Sequence, residues 1–311
     1  MTVDASPHLI VPFAKCTGDD WLQTITALKL KNLGELLRGM RLVETDTGQA
    51  DSLSPPHERA LATAMGLASS ADGLIPWAAL EAKAPPGQAW AFITPCHWAM
   101  GRENATLTDP ATLELAEEKS RTLLADMQPY FSTEGITLHY SAPTRWLAEA
   151  EVFRNLPTAS LDRVLGRNVD RWLPPSKAIK LLQNEMQMLL YTHATNEERT
   201  DKGQRPVNSF WLSGSGALTK SPSARPHVRV TRTLAPTALA GDWTMYAQAW
   251  AQLDDTDIAQ LLAQQNASQT VRLSLCGERN AATFESAQLG FLAKIKNTLS
   301  PQPLTDLLKT L

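Results

Sequence analysis

A hydroxyl, an imidazole and a guanidinium lie close together in the segment DSLSPPHER, residues 51–59. Ser54 precedes a helix start marked by Pro55, and His57 and Arg59 fall where they could handle a proton or a phosphate. Ser54 and His57 are therefore the candidate catalytic residues, and Arg59 is a candidate anion ligand. An ordinary helix cap by Ser54 explains the same pattern more simply.

A pair of glycines follows the apolar run Val207–Leu212, which predicts a β-strand. Gly214 and Gly216 there would let backbone amides approach an anion, and Asn208 joins them as a candidate anion ligand. The pair lacks the third glycine of a dinucleotide fingerprint and the lysine of a Walker loop. A tight turn leaving the strand is the simpler interpretation, because glycine adopts positive φ without steric cost.

Three arginines in the middle of the chain, Arg145, Arg163 and Arg167, are further candidate anion ligands. Arg163 and Arg167 are four residues apart and share a face if their segment is helical. Guanidinium groups suit phosphates because they offer paired hydrogen bonds. Asp162 and Asp170 are near enough in sequence to pair with them. A structural salt-bridge network is therefore the alternative to an anion pocket.

The acidic and sulfur-containing residues do not predict a metal site. Asp254 and Asp257 have the spacing of an N-cap and a third helical residue, so a capped helix explains them without a metal. The cysteines, Cys16, Cys96 and Cys276, are far apart in sequence. They form neither a disulfide framework nor a zinc signature, which indicates a reducing, cytoplasmic compartment.

Composition narrows the class of protein. The 311 residues are 43% hydrophobic and 20% charged, as in soluble globular proteins, with a formal net charge of -3. A sequence-independent nucleic-acid binder would carry a basic excess. No apolar run approaches the roughly 18 residues that cross a bilayer. We therefore expect neither a nucleic-acid nor a membrane partner.

Short apolar runs alternate with longer helical patterns along the chain. This alternation predicts an α/β fold with a largely parallel central sheet and helices on both faces. Residues 1–311 are expected to form a single α/β domain, with a subdivision near residue 205 as the alternative. Helices are expected from the last strand to Leu311. The predicted strands are His8–Phe13, Trp90–Thr94, Ile136–Tyr140, Val207–Leu212, His227–Thr231 and Val271–Leu275.

Four longer segments are distinctive when taken together: SLSPPHERALA (52–62), LPTASLDRVLGRNVDRWLP (156–174), LQNEMQMLLYTH (182–193) and RPVNSFWLSGSG (205–216). They resemble the RpfE-type bacterial regulatory protein family, whose members are often labelled phosphoglycerate-mutase-like. The resemblance extends over nearly the whole chain. It implies a regulatory role and leaves the biochemical activity open.

The chain is also distantly similar to cofactor-independent phosphoglycerate mutases and the alkaline-phosphatase-like superfamily, which implies an alkaline-phosphatase-like core. Those enzymes use two divalent metals to activate a Ser or Thr nucleophile. Their first strand ends in Asp-Gly, where this chain has Pro12-Phe13. Their C-terminal strand carries an Asp-His pair, whereas this chain reads Leu275-Cys276-Gly277-Glu278. The resemblance therefore implies a degenerate metal site, with no metal and no cofactor.

The leading hypothesis is a cytoplasmic, phosphoglycerate-mutase-like regulatory or ligand-binding protein without two-metal catalysis. Its partner would be a phosphorylated small molecule or another protein. One alternative is an active phosphomutase or phosphatase with rearranged ligands and Ser54 as the nucleophile. A second is a protein–protein adaptor that presents some of the nine tryptophans as exposed hot spots.

Overall fold

The computed structural model describes residues 6–67, 71–102, 104–220, 227–287 and 304–311. The chain divides into two compact units: unit 1 comprises Met1–Asp51, Pro55–Ala68 and Ser223–Leu311, and unit 2 comprises Ser52–Ser54 and Ser69–Pro222. Residue 205, the alternative boundary, lies inside unit 2. That both units belong to one domain stays a prediction.

The strands come in chain order as β1 (His8–Val11), β2 (Met40–Thr47), β3 (Ala89–Cys96), β4 (Trp98–Met100), β5 (Ala105–Leu107), β6 (Thr137–Ala142), β7 (Arg145–Glu149), β8 (Ser209–Ala217), β9 (Val228–Val230), β10 (Arg272–Cys276) and β11 (Asn280–Ser286). Sheet A of unit 1 has the order β2-β11-β10-β1-β9. Sheet B of unit 2 has the order β6-β7-β3-β8, and β4 pairs with β5.

The helices are α1 (Asp19–Ala27), α2 (Lys31–Arg38), α3 (Pro56–Ala64), α4 (Trp77–Glu81), α5 (Glu117–Thr133), α6 (Leu161–Val164), α7 (Lys177–Tyr191), α8 (Ala194–Asp201), α9 (Ala235–Ala240), α10 (Trp243–Leu253), α11 (Ala259–Asn266) and α12 (Leu304–Thr310). Within the described ranges, none of them combines the length and the apolar character that crossing a bilayer requires.

Sheet A is mixed, which corrects the prediction of a largely parallel sheet. β1 pairs parallel with β9 and β10, whereas β11 pairs antiparallel with β10 and β2. Only residues 277–279 separate β10 from β11, and so short a connection joins two strands as a hairpin. The sequence predicts helices there and so overlooks β11. The α/β class itself is confirmed.

The sequence also overlooks β2, the edge strand of sheet A. Its side chains are exposed along most of its length. Without one buried face, it lacks the regular alternation of apolar and polar residues that marks a half-buried strand.

Helices cover both faces of sheet A. Leu9 and Val11 point to a core shared with α1, α2, α10 and α11, while Ile10 points to the face that α3 covers. Alternate side chains of one strand therefore enter two different layers. In the larger layer, the buried Tyr246 hydroxyl donates to the Phe13 carbonyl oxygen at 2.7 Å, which ties the end of β1 to α10.

Sheet B is antiparallel throughout, and β3 is buried along its whole length. Helices α5 and α7 supply much of the apolar cover for this sheet. Phe131 of α5 meets Phe210 of β8 with ring centroids 5.2 Å apart. The fully buried Trp146 donates its indole N–H to the Ser120 hydroxyl at 2.9 Å. The polar edge of this large side chain is thereby satisfied inside the core.

The tryptophans do not form the exposed hot spots of the adaptor hypothesis. Trp77 and Trp243 are partly buried, and the other seven of the nine are buried. A large aromatic ring stabilises the protein more when a core removes it from water than when it stays exposed at the surface. The tryptophans are buried for this reason. The buried seven are Trp21, Trp90, Trp98, Trp146, Trp172, Trp211 and Trp250.

Candidate functional site

The carboxyl ends of β1 and β10 lie side by side because these strands are parallel neighbours. The Ala14 amide donates to the Cys276 carbonyl oxygen at 2.8 Å, which joins the two chain segments that leave the strands. Phe13 has φ 58°, so the chain turns sharply there. We call the segments 13–17 and 277–279 the carboxyl edge. Ligands of α/β sheets bind at such edges.

Two cations and one carboxylate meet at the carboxyl edge. Burial, followed by the charge of Arg279, lowers the pKa of Lys15, and Glu278 only partly offsets this. The Lys15 ammonium donates to the Lys309 carbonyl oxygen at 2.6 Å, and Glu278 accepts from the Thr17 hydroxyl at 3.3 Å. Around the Lys15 ammonium, the charge of Arg279 therefore outweighs that of Glu278.

His57 and Arg59 of α3 lie at the same end of sheet A. The His57 ring is buried beside Phe13, with ring centroids 6.0 Å apart. The Arg59 guanidinium pairs with Asp46 at 2.7 Å and donates to the Arg279 carbonyl oxygen at 2.8 Å. The structure therefore brings two of the predicted residues together here. Arg59 holds the backbone that carries Arg279, and Asp46 balances its charge.

Lys15 and Arg279 were missed from sequence, although a signal was present. Each follows closely after a predicted strand, His8–Phe13 or Val271–Leu275. Strand ends of a parallel pair meet at one edge, so basic residues at both ends would have indicated an anion site.

Ser54, in unit 2, does not act as the predicted helix cap. The cap position of α3 is Pro55, and no side chain caps that helix. Instead the Ser54 hydroxyl accepts from the Gly73 amide at 3.0 Å. The two Asp72 carboxylate oxygens accept from the Leu53 and Ser54 amides, both at 2.8 Å. Ser54 is only 4% exposed, because the Asp72-Gly73 turn closes over it.

Buried hydroxyls hold that turn in place. The Thr158 amide donates to the Gly73 carbonyl oxygen at 2.9 Å, and the Thr158 hydroxyl lies 2.9 Å from the Ser215 hydroxyl. Thr158 and Ser215 are both buried. These contacts give the buried hydroxyl and backbone groups hydrogen-bond partners, so they stabilise the fold of unit 2.

Arg163 and Arg167 do not share a helix face. Helix α6 ends at Val164, and Gly166 with φ 69° turns the chain before Arg167. The prediction of one continuous helix is therefore corrected. Arg163 is 4% exposed and donates to the Ser54 carbonyl oxygen at 3.5 Å, whereas Arg167 is exposed. The anion role of these arginines stays a prediction.

Gly214 and Gly216 lie inside β8 and not in the predicted turn after it. A Cβ on Gly214 would come within 2.7 Å of the Phe92 ring, and one on Gly216 within 3.0 Å of the Leu74 carbonyl oxygen. Their φ values are 61° and 137°. Close packing of β8 against its neighbours therefore explains both glycines.

Arg145 and Asn208 are occupied by neighbouring groups of unit 2. The Arg145 guanidinium pairs with Glu81 at 2.8 Å and stacks 3.9 Å above the centre of the Phe92 ring. The Asn208 amide brackets Trp98, accepting from its N–H at 2.7 Å and donating to its carbonyl oxygen at 2.9 Å. The salt-bridge alternative describes Arg145 well. Anion binding by either residue stays a prediction.

Asp254 caps a helix other than its own. Its carboxylate accepts from the Leu33 amide at 2.8 Å and from the Asn32 amide at 3.0 Å, at the start of α2. Asp254–Ile258 is a π-helical turn that continues α10 into α11, so no helix begins there. Asp257 pairs with Arg229 at 2.7 Å. The part of the chain that the structure describes holds no group of three or more metal-ligating side chains.

The three cysteines are buried free thiols. Burial is the main cause that raises the pKa of Cys16 to about 12, and it also raises the pKa of Cys96 and Cys276. A thiol that holds its proton so firmly is a poor nucleophile and a poor metal ligand. Cys276 is fully buried and packs in the core beside Ile10 and Ala281.

Comparisons with known proteins find structural likenesses to five solved chains, two of which are described in turn. No family model matches the chain, and no curated protein matches it. A cofactor-independent phosphoglycerate mutase from Thermoplasma acidophilum DSM 1728 is similar with TM-score 0.38 and 14% identity, over 98% of this chain and 99% of that one. The PH0037 protein from Pyrococcus horikoshii is similar with TM-score 0.45 and 10% identity, over 95% and 93%.

Proposed function

We propose that this protein is a phosphoglycerate-mutase-like binding protein of the RpfE-type regulatory family. It holds a phosphorylated small molecule at the carboxyl edge and does not use two-metal catalysis. The observation that carries the proposal is the pair of cations, Lys15 and Arg279, at the joined ends of two parallel strands.

A phosphate suits this edge for an electrostatic reason. Lys15 is partly desolvated and repelled by Arg279, so its charged form costs more free energy here than in water, and Glu278 offsets only part of that cost. A phosphate between the two cations would remove that repulsion and accept charge-assisted hydrogen bonds, which are about twice as strong as neutral ones. Arg59 holds the Arg279 backbone by its 2.8 Å hydrogen bond to the Arg279 carbonyl oxygen, so the chain that carries the second cation is fixed.

The strand ends support binding without metal-assisted transfer. Phe13 packs against the core of unit 1 where the similar enzymes carry Asp-Gly. Cys276 is fully buried where they carry Asp-His. Both positions are thus filled by side chains that stabilise the fold, and the bound phosphate is recognised but not transferred.

Isothermal titration calorimetry with inorganic phosphate and with phosphoglycerate tests the proposal. We expect Lys15→Met and Arg279→Gln each to weaken binding about tenfold, which corresponds to about 1.4 kcal/mol. Lys29→Met is the matched control, because Lys29 is an exposed lysine of the same unit that lies outside the carboxyl edge. Equal affinities in wild type and both edge variants would refute the site.

The phosphatase alternative predicts a bound metal and catalytic activity, which the binding-protein proposal does not. It requires stoichiometric manganese or zinc in the purified protein, together with phosphatase activity that disappears in Ser54→Ala. Elemental analysis and an activity assay on the same sample decide between the two. The burial of Ser54 beneath the Asp72-Gly73 turn favours the binding protein, because an incoming phosphate has no open path to the hydroxyl.

A further inference from the structure

The amino-terminal end of sheet A, opposite the carboxyl edge, carries two adjoining cavities. Their volumes are about 100 and 540 Å³, and Pro7, His227 and Gln264 line both. Since β1 begins at His8 and ends at Val11, these cavities lie at the other end of the strand from Lys15. We call them the amino-edge cavities.

Uncharged hydrogen-bonding side chains dominate their walls. Gln260 and Gln264 are four residues apart on α11, so both project from one helix face, and Gln269 follows in the next turn of chain. The side-chain amides of these three residues make no hydrogen bond within the described part of the chain. Gln265 differs, since its amide donates to the Leu36 carbonyl oxygen at 3.3 Å.

The two charged residues of the smaller cavity cancel each other. Arg229 donates to Asp257 at 2.7 Å, so an anion or a cation entering there would compete with an existing ion pair. An apolar ligand would strip water from the glutamine amides and return no hydrogen bond, which is costly. The walls therefore favour a ligand that is both neutral and polar.

We propose that the amino-edge cavities bind a small neutral molecule rich in hydroxyl groups, of the sugar or polyol class. Each glutamine amide offers both donors and an acceptor, and each hydroxyl group likewise donates and accepts, so the two match in both directions. The larger cavity falls within the range of volumes, about 300–1,000 Å³, of small-molecule sites. This site is separate from the proposed phosphate site.

Saturation-transfer difference NMR on the full chain tests the proposal, with glucose, myo-inositol and glycerol as probes. We expect a dissociation constant of about 1 mM for at least one probe, because no charged contact assists binding. Gln264→Ala, which alters both cavities, should weaken binding about tenfold. Asn266→Ala is the matched control, since Asn266 is an exposed amide of α11 that lines neither cavity.

Two outcomes would overturn the proposal: no transfer to any of the three probes, or equal binding by wild type and Gln264→Ala. The failure of this site is distinguishable from that of the phosphate site. Gln264→Ala should leave phosphate affinity unchanged, and Lys15→Met should leave polyol affinity unchanged.

Discussion

The polar residues at the carboxyl edge of unit 1 and those around Ser54 in unit 2 differ in how they are partnered. At the carboxyl edge of unit 1, Arg279 lowers the pKa of Lys15 more than Glu278 raises it, so the two cations repel each other with only partial compensation. In unit 2, the Ser54 amide donates to the Asp72 carboxylate and the Ser54 hydroxyl accepts from the Gly73 amide, so both groups have a partner. Polar groups that have hydrogen-bond partners stabilise a fold. Like charges that repel each other at a strand end form a candidate binding site for a ligand of opposite charge.

The difference follows from how the strands are joined. Parallel neighbours such as β1 and β10 end together, and the segments that leave them converge at one edge of the sheet. Sheet B is antiparallel, so its strand ends alternate and its loops are divided between two edges. Gly214 and Gly216 lie inside β8, where they allow close packing against neighbouring groups.

The largest expected effect tests whether unit 2 is chiefly structural. Trp211 is 1% exposed and donates to the Ala159 carbonyl oxygen at 3.0 Å. Trp211→Ala should lower the free energy of unfolding by about 3–5 kcal/mol, because it leaves a cavity. Trp211→Phe, the control, retains much of the packing and should cost about 1–3 kcal/mol. Urea unfolding measures both.

In either tryptophan variant, the folded fraction should bind phosphate as the wild type does. Loss of phosphate affinity in a folded Trp211→Phe protein would break the division of roles between the units.

A smaller effect separates packing from backbone strain at Gly214. Gly214 and Gly203 have similar φ values, 61° and 68°. A Cβ on Gly214 would meet Phe92 at 2.7 Å, whereas one on Gly203 would meet nothing within 4 Å. Each alanine variant should lose about 1–2 kcal/mol from the left-handed backbone. Gly214→Ala should lose about 1–3 kcal/mol more from overpacking.

Urea unfolding of the two glycine variants gives that difference directly. If Gly214→Ala and Gly203→Ala cost the same, close packing does not explain the glycine of β8, and its role as an anion ligand regains weight.

The smallest effect concerns the stability of the carboxyl edge. Burial and Arg279 lower the pKa of Lys15 in the folded state from 10.5. The charged amine therefore destabilises the fold at neutral pH. Stability rises with pH over the range in which the folded protein has released this proton and the unfolded chain still holds it. Lys15→Met should slightly raise the unfolding temperature in phosphate-free buffer, and its advantage should shrink as pH approaches 10.5.

Differential scanning calorimetry across pH measures this, with Lys29→Met as the exposed control. A lower unfolding temperature for Lys15→Met at neutral pH would mean that the hydrogen bond to Lys309 outweighs the repulsion from Arg279. The carboxyl edge would then be a stabilising part of the fold, like the contacts around Ser54.

Buried apolar runs are the part of the fold that sequence revealed best. His8–Phe13 and Trp90–Thr94 predict β1 and β3, whose side chains are almost all buried. The edge strand β2 is exposed, and β11 has only three apolar residues among its seven, so neither strand carries such a signal. The sheet was predicted to be largely parallel as a result. The direction of pairing depends on partners far apart in sequence, which periodicity does not encode.

For the candidate site, the sequence indicated which residues could bind an anion, but it did not reveal which of them pair with distant residues. The sequence placed His57 and Arg59 in one helix turn, where the structure also has them. It gave equal weight to Arg145, whose charge Glu81 matches across a long stretch of chain. Whether a charge is free or matched depends on such distant neighbours, so spacing alone could not rank these residues.

The sequence by itself determined the α/β class, the buried strands and the absence of an Asp-His pair, because these depend on local order and composition. Only the tertiary structure decided which polar residues are engaged. It buries Ser54 under a turn, sets Gly214 against a ring, and leaves Lys15 beside Arg279 at the end of two parallel strands. The physical reason is that desolvation and charge pairing arise between segments that only folding brings together.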